Sequence, residues 1–177
     1  MRALSLIAVL SLFLAGCGFK DLPKMKATTD QSLKAVVMEY RLRADIVPHL
    51  IDLVQDRKDS SLAKLVPSVQ VAYSHAIGMD LPIEQLNEMQ MNRLASFQIA
   101  LGSSLTQLMA ALGNDPKVNK GAYLSLKEQL DRAESRLAIA RQKYREEAQS
   151  FNERLTKAPT KWYNRYHYKY QPFSDLQ

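Results

Sequence analysis
One stretch constrains the fold more than any other. From Gly121 to Lys157, Tyr123, Leu126, Leu130, Ala133, Leu137, Ala140, Tyr144, Ala148, Phe151 and Leu155 recur every three or four residues, and charged residues fill the intervening places. That spacing puts the apolar side chains on one face of an α-helix. At about 1.5 Å per residue the helix would be roughly 50 Å long. A stripe of that length is buried only against other long helices.

Three further stripes supply them. Between Asp30 and Arg57 the positions are Leu33, Val36, Val37, Tyr40, Ala44, Val47, Ile51 and Val54, with Thr29 or Asp30 as the cap and a kink or short break expected at Pro48. A second runs from Ser60 to Ile77, interrupted at Pro67 and ended by Gly78. A third runs from Pro82, suited to a first turn, to Leu112, where Gly113-Asn114-Asp115-Pro116 is a stop signal. Four stripes with short connections predict an all-α chain, a long antiparallel four-helix bundle.

The amino terminus has a different composition. Arg2 precedes an apolar run, Ala3 to Ala15, broken only by Ser5 and Ser11. The run is shorter than the roughly 20 residues that span a bilayer. It closes on Leu14-Ala15-Gly16-Cys17, which resembles the bacterial lipobox. Cys17 is the only cysteine, so no internal disulfide can form, and lipidation accounts for an unpaired thiol in an exported chain. The expected organisation is a signal peptide over 1–16, a lipidated polar tether over 17–29, a bundle over 30–158 and an aromatic, basic tail over 159–177. Two or three acyl chains would hold the protein firmly at the membrane of the cell envelope. Gly18, standing where an Asp would favour inner-membrane retention, points to the outer membrane in a cell with two.

The formal net charge of +6 suits a neighbour rich in anionic lipid or polymer, and the export signal argues against nucleic acid. No phosphate loop, nucleophile elbow or zinc-protease motif is present, so no catalytic set, cofactor or metal is expected. The alternative is an envelope enzyme or metal protein using Asp45 and His49, four residues apart on one helix face, with Asp52 three further on.

The stretch Arg41-Leu-Arg-Ala-Asp-Ile-Val-Pro-His-Leu-Ile-Asp-Leu-Val54 resembles the first-helix motif of the LemA family. The stretch from Leu126 to Tyr144, continuing to Phe151-Asn152 and Pro159, resembles the family's last helix, and Gln171-Pro172-Phe173 its aromatic tail. The resemblance implies a long, mostly antiparallel four-helix bundle and transfers no biochemical activity. Family members typically carry an amino-terminal membrane helix, whose place a lipid would take here. His49 stands where the family more often has Asn, and Arg145 follows Tyr144 where Asn is usual.

Arg43, Asp45, Glu134 and Arg141 belong to these motifs. They fit either a docking surface for an envelope protein partner or a charge network that fixes which helices are neighbours. The tail from Lys161 to Phe173 holds the only tryptophan and four of the eight tyrosines among Lys161, Arg165 and Lys169. Trp162, Tyr166, Tyr168 and Phe173 suit a bilayer interface or a wall polymer, or they fold back over one end of the bundle.

Overall fold
A computed structural model describes residues 21–55, 62–78 and 88–176. Every regular element among the described residues is helical: α1 Leu22–Ala44, α2 Val47–Gln55, α3 Val66–Ile77, α4 Glu88–Gly113, α5 Lys120–Thr156 and α6 Thr160–Tyr163, followed by a π-helical turn Asn164–Tyr168. α1 runs along α5, and α3 along α4. Neighbouring long helices are antiparallel, with α1 and α2 forming one interrupted arm.

The interruption has a local cause. Pro48 has no N–H to give to the Ala44 carbonyl, and its ring crowds that oxygen. The helix stops at Ala44 and resumes at Val47, with Asp45 N–H bonded to Arg41 O at 2.9 Å and Ile46 N–H to Arg43 O at 3.3 Å. The break therefore falls just before Pro48. Pro67 also marks a break, because residues 62–65 are turns and the helix begins only at Val66. It sits in the first turn of α3, where a missing N–H is harmless. The expected starts at Ser60 and Pro82 lie outside the described residues.

The expected tether is corrected more substantially. Residues 22–29 belong to α1, whose first turn carries Pro23, and Leu22 and Thr29 are buried. Thr29 and Ser32 satisfy their hydroxyls on Met25 O and Thr29 O, at 3.0 and 2.9 Å. These small side chains let α1 lie close against the carboxyl half of α5.

At the other end, Asn119 caps α5 by accepting from Ala122 N–H at 3.2 Å. Gly113 closes α4 where a Cβ would come 2.7 Å from the Tyr123 hydroxyl, so a side chain there would have to displace the Tyr123 ring.

The core falls into two apolar clusters stacked along the bundle. One gathers Val47, Leu50, Val69, Leu101, Leu105, Leu108 and Leu112 around α2, α3 and α4. The other gathers Leu33, Val36, Tyr40, Leu94, Leu137 and Tyr144 with Leu176 of the tail. The tail is thus not a separate segment, because its last residues complete the second cluster.

Candidate functional site
A polar layer lies between the two clusters. Arg43 is only 3 % exposed, yet it carries a charge. Its Nη1 donates to Glu134 Oε1 at 2.9 Å, and its Nη2 donates to Gln98 O at 2.8 Å and Gln98 Oε1 at 2.5 Å. One guanidinium therefore joins α1, α4 and α5. The planar fork of arginine suits such a junction, since it presents several donors at fixed angles. Gly102 makes room for it: a Cβ there would lie 3.3 Å from Nη1. The Nε proton has no partner among the described residues.

Tyr40, one turn earlier on α1, extends the layer. The Arg43 and Arg141 guanidinium carbons lie 5.8 and 5.2 Å from its ring centre. Arg141 Nε donates to the Tyr40 hydroxyl at 3.1 Å, and Arg136 Nε to Glu39 Oε2 at 3.0 Å. Arg43, Glu134 and Arg141 therefore meet through α1 and α5. Asp45 does not join them, being exposed at the end of α1.

Asp45 and His49 do not share a continuous helix face. The interruption places Asp45 after α1 and His49 within α2, both exposed. Among the described residues no three His, Cys, Asp or Glu side chains gather as a metal-holding group. Beside the arginine layer is a cleft of about 300 Å³ between α1, α3 and α4, lined in part by Tyr40, Ala44, Asp45, Ile77, Leu94 and Gln98.

The second constellation joins α5 to the tail. Asn152 Nδ2 donates to Phe173 O, and Phe173 N–H donates back to Asn152 Oδ1, both at 2.8 Å. The Tyr144 hydroxyl donates to Ser174 O at 2.7 Å. Phe173 packs edge-on against Tyr144 and Phe151, with ring centres 6.3 and 5.2 Å apart. The two motifs in the carboxyl third of the chain are thus partners in space.

The four tail aromatics separate into two kinds. Phe173 folds onto the bundle, and half-buried Tyr168 stacks on Tyr170 with ring centres 5.0 Å apart. Trp162 and Tyr166 remain 63 % and 73 % exposed. Cys17 lies outside the described residues. Among those described, no helix is long and apolar enough to cross a membrane.

Gln98 is the member of the polar layer that sequence reasoning missed. It occupies an apolar-face position of α4, between Leu94 and Leu101, and a polar residue there was the available signal.

Burial holds the Tyr144 phenol well above its ordinary pKa of 10.0, with the Asp175 and Asp30 carboxylates adding to the shift. A folded state that keeps this proton loses stability once the unfolded tyrosine can ionise. Unfolding free energy is therefore expected to fall as pH rises past about 10. Tyr144→Phe should remove that part of the alkaline slope, measured by urea unfolding at stepped pH. An unchanged slope would show that Tyr144 is not its source.

The fold and its polar layer define an antiparallel helical bundle whose motif residues bind helix to helix and helix to tail. A model of the LemA family matches residues 32–175, and the chain belongs to that family. Neither a search of curated proteins nor one of solved structures gave a match.

Proposed function
We propose that this LemA-family chain is a lipid-anchored, non-catalytic binding or scaffolding protein of the bacterial cell envelope. On this reading it is cut before Cys17 and held by acyl chains on that residue. One observation carries the anchoring: Arg2, a short apolar run and Leu14-Ala15-Gly16 precede the chain's single cysteine. The non-catalytic role draws support from the polar layer, in which Arg43 bonds Glu134 and Gln98, Arg141 bonds Tyr40, and the Arg43 guanidinium lies over the Tyr40 ring. The partner is an envelope protein held at the membrane surface alongside the bundle.

In-cell crosslinking followed by purification, with the native chain and Cys17→Ala compared, tests this reading. A discrete protein that co-purifies with the native chain and is lost with Cys17→Ala is the expected result. The same partner with both forms would assign binding to the bundle and leave the lipid as an address. No protein with either form would contradict scaffolding. Stoichiometric uptake of a divalent metal, lost in His49→Ala, would contradict the non-catalytic role.

A further inference from the structure
The start of α1 and the tail lie at the same end of the bundle. Asp21 and Met25 share a groove with Glu153, Arg154 and Lys157 at the end of α5. Lys26 Nζ lies 5.9 Å from the Tyr170 ring centre and 5.7 Å from that of Phe173. Cys17 precedes Asp21 by four residues, so chain length alone keeps it within about 14 Å of that end.

At this end the helical segment from Thr160 to Tyr168 displays two exposed rows. Lys161 and Arg165 stand one turn apart in it, Trp162 and Tyr166 follow each of them by one place, and exposed Lys169 comes directly after it. Among the described residues no carboxylate pairs with these three cations. The other tail aromatics already have partners. Tyr163 stacks on His167 and Tyr168 on Tyr170, while Phe173 meets Phe151 edge-on.

The patch is also held in shape. Asn164 Nδ2 donates to Tyr170 O and Asn164 Oδ1 accepts from Tyr170 N–H, both at 3.0 Å, while Lys169 N–H donates to Asn164 O at 2.7 Å. Lys169 itself takes a left-handed backbone conformation, with φ at 55°. A fixed array of exposed rings beside cations matches the headgroup layer of a bilayer, where rings sit at the interface and cations meet phosphate.

We propose that Lys161, Trp162, Arg165, Tyr166 and Lys169 dock on the anionic phospholipid surface that holds the Cys17 lipid. The bundle then stands end-on, with the α4–α5 turn facing away by about the 55 Å length of α5. The choice of bilayer rests on the lipoprotein reading. A lipid chain and a basic patch together give firmer and better oriented attachment than either gives alone.

Trp162 is the only tryptophan, so its emission reports docking without a label. The full mature chain would be placed in phosphatidylglycerol-containing vesicles with bromine near the headgroup. Quenching of Trp162 is expected, with emission moved to shorter wavelength. Lys161→Glu/Arg165→Glu should lose most of that quenching, several-fold, while still floating with the vesicles and keeping its helical circular dichroism. Trp162 unquenched in floating wild-type protein would overturn the proposal, as would quenching unaltered by the charge reversals. Binding to isolated wall polymer without quenching in vesicles would overturn it too. Should intact mass show no acyl chains, the lipoprotein reading fails by itself. Quenching of the unacylated chain added to the same vesicles at low salt then decides the docking.

Discussion
Glu134→Leu is expected to cost about 3 kcal/mol of unfolding free energy, because it leaves the buried Arg43 charge with only neutral acceptors. Arg43 is 3 % exposed and Glu134 is 44 % exposed, so water can approach from the glutamate side and hold the loss near the lower end of the buried-pair range. The informative comparison is with the double variant. Adding Arg43→Met removes the uncompensated charge, so Glu134→Leu/Arg43→Met should be more stable than Glu134→Leu alone. Gln98 would remain a buried amide short of one partner, so recovery should be incomplete until Gln98→Leu is added. Urea unfolding of the wild type, Glu134→Leu, Arg43→Met and the double variant gives the cycle. A double variant weaker than the single one would show that Arg43 stabilises the bundle by packing and not through its charge.

Phe151→Ala is expected to be costlier, about 4 kcal/mol, which is the usual range for a buried phenylalanine. Phe151 is fully buried and touches the rings of Phe173 and Tyr170 at 5.2 and 6.2 Å between centres. Its removal opens a cavity beside Phe173, which packs against the second core cluster, and takes away the surface on which the tail rests. The tail from Tyr170 onward should then be cut by protease far faster than in the wild type. Phe151→Leu, which conserves most of the volume, should cost under about 1.5 kcal/mol. A loss below about 1 kcal/mol for Phe151→Ala, with the tail still protected, would mean that the tail does not depend on this contact.

Particular residues show how much of this was legible in the sequence. The stripe read from Gly121 to Lys157 is the helix Lys120–Thr156, because one amphipathic period runs through it without a proline. The Gly113 stop was equally clear. Prolines were harder, because their effect depends on position. Pro23 and Pro67 lie in first turns and start helices, whereas Pro48 forces the break at Asp45 and Ile46. Lys20, Lys24 and Lys26 gave 17–29 the look of a tether, although Leu22, Thr29 and Ser32 are buried against α5.

The candidate site was partly legible. Arg43, Glu134 and Arg141 stood out through their motifs, and the structure brings them together around Tyr40. Asp45 was grouped with them because sequence spacing could not show that the helix ends beside it. Nor could composition tell which tail aromatics turn inward. That depends on Tyr144, Phe151 and Asn152, between 21 and 30 residues away along the chain from their partners Phe173 and Ser174. Contacts over such separations arise only when the helix places both partners on one side.

The most direct test of the lipid-anchored scaffold is intact-mass and amino-terminal peptide analysis of the protein isolated from its own membranes. The mature chain should begin at Cys17 and carry a diacylglyceryl group there. A chain that retains residues 1–16, or begins elsewhere with an unmodified Cys17, would contradict the account.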